Sequence, residues 1–187
     1  MNILRLFIAL CLMSLASTVA LAASETINFG PASISLDLES IGSYTVEKGA
    51  PSSMDHKRPD FLYEIIPASI TSDSFSNQVS LEVHQMSMSV PLYESISKKN
   101  TATGLEHCIE KSEMMPVGED MKTENYTIDG HQGLLATINK DPENPLYIVA
   151  YSPDLRDGSG RIVCIVGSDL PWETTKSIFD SVSTNVA

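Results

Sequence analysis

The chain has 187 residues, of which 24 are acidic and 12 are basic, so its net charge is −12 at neutral pH. Such acidity argues against binding to nucleic acid or to anionic membrane surfaces, because both attract basic proteins. Hydrophobic residues make up 42% of the sequence, a proportion close to that of globular domains with a packed core.

Residues 1–22 have the pattern of a cleaved secretory signal peptide. Arg5 supplies the positive start, residues 6–15 form a short apolar stretch, and Ala20-Leu21-Ala22 matches a small-x-small cleavage site. The apolar stretch is too short for a membrane span, and no other segment of the sequence could form one. We therefore expect a secreted or periplasmic mature chain, residues 23–187, that forms a single domain with no membrane span.

The first half of the mature chain is predicted to consist of strands. Residues 44–48 are predicted to form a short polar strand, and alternating apolar residues or short apolar runs mark strands at 27–38, 61–66 and 79–90. Pro67 and Pro91 are expected to end the last two, because proline cannot donate a backbone hydrogen bond to a neighbouring strand.

A helix and three further strands are predicted next. Residues 93–111 have helical composition, with a break expected at Asn100 or Gly104. Residues 126–138 read as a strand, an Asp-Gly turn and a second strand, which is the pattern of a hairpin. Residues 146–151 form another apolar strand.

The C-terminal stretch 161–182 is predicted to form a buried strand, a turn and an amphipathic helix. The continuous apolar run at 162–166 is typical of a strand covered on both faces. Ser168 and Asp169 are candidates to cap the helix, with Pro171 in its first turn. One apolar face is expected on this helix, made by Trp172, Thr175, Ile178, Phe179 and Val182.

This element order predicts an α+β fold, in which an antiparallel sheet of six to seven strands has helices packed on its faces. The order resembles the PsbP/Mog1-like fold. The matching parts are Asp129-Gly130-His131-Gln132-Gly133 in a hairpin, the strand at 146–151, and the last strand followed by Pro171-Trp172 and the final helix. The resemblance implies a sheet sandwiched between helices. That fold hosts photosystem accessory subunits, a small-GTPase-binding protein and secreted bacterial lipoproteins, so the resemblance implies no single activity.

The mature chain contains two cysteines, Cys108 and Cys164. An even number of cysteines in an oxidising compartment favours a disulfide, and closing so long a loop would stabilise the fold by roughly 3–5 kcal/mol. The alternative is a pair of buried free thiols. Asn125-Tyr126-Thr127 is a glycosylation sequon, which matters only if the host glycosylates exported proteins.

The most suggestive metal-binding pattern is His84-Gln-Met86-Ser-Met88. On a strand, His84, Met86 and Met88 point to one face, and an imidazole with two thioethers suits Cu(I). Additional sulfur donors could come from Met114, Met115 and Met121. The alternative interpretation is that the methionines fill gaps in the core, which is a common role for this side chain.

No catalytic motif stands out in the sequence. It contains no Gly-x-Ser-x-Gly elbow, no P-loop and no dinucleotide-binding fingerprint. Our first hypothesis is therefore an exported, non-enzymatic domain that binds a protein or an envelope component. The alternatives are a copper-binding or copper-handling protein and a hydrolase with an unrecognised site.

Overall fold

The computed structural model describes residues 24–54, 61–73, 78–88, 101–139, 145–154 and 161–187. These residues form eleven strands, two α-helices and a short 3₁₀ helix at Glu39–Ile41. In chain order the strands and helices are β1 (Glu25–Asn28), β2 (Ala32–Leu36), β3 (Tyr44–Lys48), β4 (Ser52–Met54), β5 (Phe61–Ser72), β6 (Gln78–Met88), α1 (Thr101–Lys111), β7 (Met121–Ile128), β8 (His131–Ile138), β9 (Leu146–Asp154), β10 (Arg161–Ser168), α2 (Trp172–Ser181) and β11 (Ser183–Val186).

Eight of the strands form one large sheet, and every pairing in it is antiparallel. The strand order is β3-β5-β6-β10-β9-β8-β7, with β4 also paired to β5. The strand β10 lies between β6 and β9, and the residues 163–168 are all buried. The prediction of a strand covered on both faces is therefore confirmed.

The two faces of this sheet belong to different hydrophobic clusters. Val163 and Ile165 of β10 share one cluster with Leu105 and Ile109 of α1, which we call the α1 face. The neighbouring residues Cys164 and Val166 lie in the other cluster, together with α2 and the small sheet described next, which we call the α2 face. This alternation follows from the two-residue period of a strand.

A second, three-stranded antiparallel sheet has the order β1-β2-β11. Its inward residues Ile27, Ile34 and Leu36 are at most 2% exposed and belong to the cluster of the α2 face. The sequence pattern predicted a single strand at 27–38 and a helix as the last element of the chain. In the structure Gly30, with φ of 94°, turns the chain between β1 and β2, and β11 follows α2 and pairs with β2.

Strand β5 continues through Pro67, where the sequence analysis ended it. The carbonyl of Pro67 accepts a hydrogen bond from the amide of Gly49, at the gap between β4 and β3. The amide and carbonyl of one strand residue point to the same side, so the hydrogen that proline lacks would also face this gap. No ladder bond to β6 is lost, and the pairing with β6 runs unbroken from Phe61 to Thr71.

The turn after β7 and the two α-helices can be compared with their predictions. The hairpin of β7 and β8 turns at Asp129 and Gly130, with φ of 51° and 72°, as its Asp-Gly pair indicates. The predicted helix 93–111 is observed as α1 from Thr101, without a break at Gly104, whereas 93–100 lie outside the described residues. The final helix α2 has the expected apolar face, since Thr175, Ile178 and Phe179 are buried.

The described residues thus form antiparallel sheets with two α-helices, in agreement with the predicted α+β class. The large sheet contains eight strands instead of six to seven, and the second sheet was not predicted. Among the described helices, none has both the length and the apolar composition needed to cross a bilayer.

Candidate functional site

Two of the predicted metal-binding residues, His84 and Met86, lie in the second half of β6 on the α1 face of the large sheet. His84 is fully buried, and Met86 is partly buried against the hydrophobic cluster of this face. Met88 ends β6, and its side chain lies outside the described part of the structure. Met114, Met115 and Met121 pack partly buried against the same cluster as Met86, in the core-filling role that the alternative interpretation assigned to the methionines.

Both ring nitrogens of His84 are engaged by protein side chains. Nδ1 lies 2.7 Å from the hydroxyl of Tyr63 on β5, and Nε2 lies 2.6 Å from Oε2 of Glu82. A copper ion bound to this imidazole would have to displace one of these partners. Among the described residues, no group of three or more His, Cys, Asp or Glu side chains is placed to hold a metal.

His84 is the centre of a buried polar chain. Glu82 is 1% exposed, and its Oε1 accepts a hydrogen bond of 2.9 Å from the backbone amide of Glu113. At the other end, the Tyr63 hydroxyl is hydrogen-bonded to the thiol of Cys108 on α1. Burial, and next the nearby Cys108, raise the pKa of Tyr63 far above its usual value, so this hydroxyl stays protonated.

These contacts fit one consistent direction of donation. A carboxylate only accepts hydrogen bonds, so the Nε2–H of His84 donates to Glu82. The protonated Tyr63 hydroxyl donates to Nδ1, and its oxygen can in turn accept from the Cys108 thiol. Each of these four side chains therefore has a hydrogen-bond partner, as buried polar groups must have if they are not to destabilise the fold.

The buried polar chain that contains Tyr63, His84 and Glu82 ends at an open cleft. The cleft has a volume of about 240 Å³ and lies beside β5 and β6, where Glu82 and Glu113 both contribute to its wall. Glu113 is exposed, and its carboxylate accepts a hydrogen bond of 3.2 Å from the hydroxyl of Ser52. The other described lining residues are a mixture of polar, small and apolar ones: Gly49, Pro67, Ala68, Ser69, Gln78, Ser80, Leu81 and Met114. The lining residues that the structure describes therefore include two carboxylates and no lysine or arginine.

The cleft was not predicted from the sequence. Glu82 lies two residues before His84, and this Glu-x-His spacing on a strand places both side chains on one face. That spacing is the sequence feature that could have indicated a polar site here. The contributions of Tyr63, Glu113 and Ser52 depend on the pairing of β4, β5 and β6 and on the turn after α1, which local sequence does not reveal.

A second polar cluster lies on the α2 face, around Cys164. Thr184 of β11 is hydrogen-bonded through its side chain to the hydroxyl of Tyr151, and its amide donates to Oδ2 of Asp129 at 2.8 Å. Burial raises the pKa of the Cys164 thiol to about 12, with Asp129 adding to the increase. The thiol is therefore protonated at neutral pH and is not an activated nucleophile. The hydrogen bonds of Thr184 connect β11 to the large sheet.

The predicted disulfide between Cys108 and Cys164 is not present in the structure, where both residues are buried thiols. Cys108 belongs to the cluster of the α1 face and Cys164 to that of the α2 face, so the large sheet lies between them. The sequon residue Asn125 is exposed on β7. Ser168 and Asp169 do not cap α2: Ser168 accepts from Thr175, and Asp169 accepts from the amide of Gln78.

Comparison of the chain with protein families, with curated proteins and with solved structures finds no match. The geometry of the cleft and of its buried polar chain is therefore the basis for a functional proposal.

Proposed function

We propose that the protein is an exported, non-enzymatic module that binds a protein partner by seating a cationic side chain of that partner in the Glu82–Glu113 cleft. The observation that carries this proposal is the chemistry of the cleft, whose described lining has two carboxylates and no basic residue. A lysine or arginine side chain supplies the charge that such a lining lacks.

The surroundings of Glu82 support this proposal. Its carboxylate is buried, and His84 and the Glu113 amide hold one oxygen each. Each carboxylate oxygen can accept a second hydrogen bond. A carboxylate fixed in this way binds a cation with little loss of side-chain entropy, which is the advantage of a preorganised site. Glu113 adds an exposed charge at the rim.

A hydrolase is less well supported by the same contacts. Ser69 and Ser80 line the cleft, but the nitrogens of His84 are directed at Tyr63 and Glu82. A serine needs a free imidazole nitrogen within hydrogen-bonding distance to become a nucleophile. The export of the chain rests on the pattern of residues 1–22, and the PsbP/Mog1-like architecture remains part of this proposal.

An NMR titration of the ¹⁵N-labelled chain 23–187 would test the proposal. The probes are N-acetyl-arginine amide and its uncharged analogue N-acetyl-citrulline amide. We expect only the arginine probe to shift the amide resonances of Ser80, Glu82 and Glu113. Glu113→Gln should weaken binding about two- to fivefold, as expected for loss of one partly exposed ion pair.

The matched control is Glu119→Gln, which removes an exposed charge outside the cleft and should leave the affinity unchanged. Equal shifts with both probes, or none with either, would reject the proposal. Shifts produced by Ca²⁺ and not by the arginine probe would reject it in favour of a metal ion.

A further inference from the structure

The outer edge of β7 is the longest uninterrupted strand edge in the described part of the structure. The strand has eight residues, and all eight pair in regular register with β8 on the inner side. The other edge strands are short: β1 and β11 have four residues each, and the far edge of the large sheet is divided between β3 and β4. Strand β7 contains neither proline nor glycine.

Such an edge can pair with another strand. Every second residue of an edge strand directs its amide and carbonyl away from the sheet. Native proteins usually shield a long edge of this kind with proline, a bulge or several charges. Five of the eight positions from Met121 to Ile128 are exposed, namely residues 122–125 and 127, whereas Tyr126 is partly buried against the core. We propose that β7 pairs antiparallel with β7 of a second copy of this chain, across a two-fold axis at Thr123.

Symmetry restricts the possible registers. In an antiparallel pair, two residues that face each other must both direct their amide and carbonyl toward the partner or both direct them away. These directions alternate along a strand, so the two-fold axis of identical strands must pass through a residue and its own copy. Near the middle of β7 the candidate centres are therefore Thr123, Glu124 and Asn125.

The charges on β7 favour the centre at Thr123. In this register Lys122 of each copy faces Glu124 of the other copy, so two opposite-charge pairs form on the same face of the joined sheets. Thr123 of one copy faces Thr123 of the other. Opposite charges and threonine pairs both stabilise facing strands. A centre at Glu124 would place two like charges opposite each other. A centre at Asn125 would place Lys122 opposite Ile128 and leave its charge unpaired.

Reciprocal charge reversal provides the test. In the chain 23–187 at about 0.15 M salt, where repulsion between the two acidic molecules is screened beyond about 8 Å, sedimentation velocity should detect a concentration-dependent dimer. Lys122→Glu and Glu124→Lys should each weaken the dimer at least about tenfold, because each variant places two like-charged pairs across the axis. A mixture of the two variants should dimerise again, since both cross-strand pairs then have opposite charges.

Two controls match the changes in net charge. Lys111→Glu and Glu47→Lys alter exposed residues away from β7 and should leave dimerisation as in the parent chain. A parent chain that remains monomeric at millimolar concentration would overturn the proposal. So would a dimer that both β7 variants leave unchanged, or a variant mixture that fails to associate. This surface lies across the large sheet from the cleft beside β5, so the test is independent of cation binding.

Discussion

Tyr63 and His84 show how a single hydroxyl can determine the stability of a buried site. The Tyr63 hydroxyl is the partner of a histidine nitrogen that has no access to solvent. Tyr63→Phe would leave that nitrogen buried without a hydrogen bond. We expect the free energy of unfolding to fall by about 1–3 kcal/mol, measured by urea denaturation.

Tyr126→Phe is the matched control for this change. Its hydroxyl donates to Asp180, which is exposed, so water can replace the lost bond. The expected loss is less than about 1 kcal/mol. Equal losses in the two variants would show that the Tyr63–His84 bond contributes no more than a surface hydrogen bond.

Cys164 should make the fold sensitive to alkali. Burial raises the pKa of its thiol in the folded chain from about 9 to about 12, so the folded state retains a proton that the unfolded state has lost. The stability linked to this proton is fully present below about pH 9 and is lost as the pH rises toward 12. The raised pKa of Tyr126, about 12, acts in the same direction from about pH 10.

The expected result is a urea midpoint that falls with increasing pH above 9, with a shallower fall between pH 9 and 10 in Cys164→Ala. Below pH 8 that variant should differ from the parent chain only by a constant loss of stability, caused by the smaller side chain. Parallel pH profiles across the whole range would contradict a role for this thiol.

At the scale of elements, β11 connects the small sheet to the large one. It pairs with β2, and Thr184 reaches Tyr151 and Asp129 across the core. A chain that stops after Val182 would leave the Tyr151 hydroxyl buried without Thr184 and would expose one side of β2. We expect a loss of roughly 2–4 kcal/mol, since each orphaned buried group destabilises by about 1–3 kcal/mol.

The control for the truncation is Asn185→Ala, which changes an exposed side chain in the same strand and should alter stability by less than about 0.5 kcal/mol. Thr184→Val separates the two effects, because it keeps the strand and removes only the hydroxyl. If the truncated chain were as stable as the full one, β11 would be an appendage to the fold and not a connecting strand.

The elements that the sequence predicted are those with a strong local signal. The apolar run of β10, the apolar face of α2 and the Asp-Gly turn after β7 are all observed. The missed elements depend on distant partners. Strand β11 has four residues of mixed polarity and is specified by its pairing with β2. Strand β5 passes Pro67 because the edge beside it is interrupted there, which only the tertiary structure reveals.

The candidate site was predictable only in part. The pattern His84-x-Met86 correctly indicated residues that share one face of β6, on which the methionine packs against the core. The role of the histidine was not predictable, because its partner Tyr63 lies on β5, brought beside it by strand pairing. Pairing between distant strands leaves no mark in the local periodicity of either one.

At the scale of the whole molecule, the large sheet separates two interiors that each hold one thiol. Cys108 enters the α1 face from a helix, and Cys164 enters the α2 face from β10, where its neighbours Val163 and Ile165 point the other way. A disulfide requires the two Cβ atoms to approach to about 3.8 Å. The sheet between the two clusters prevents that approach as long as the fold is intact.

We therefore expect the mature chain to contain two unmodified thiols, in contrast to the disulfide that its predicted compartment favours. A thiol reagent such as DTNB should label neither cysteine in the native chain, because Cys108 and Cys164 are at most 1% exposed. It should label two after denaturation without reductant. Cys108→Ala and Cys164→Ala should each leave one reactive thiol under the same conditions. Denatured protein with no reactive thiol, and with the sedimentation coefficient of a single chain, would mean that the cysteines are bonded within one chain. The helix α1 would then lie on the opposite face of the sheet.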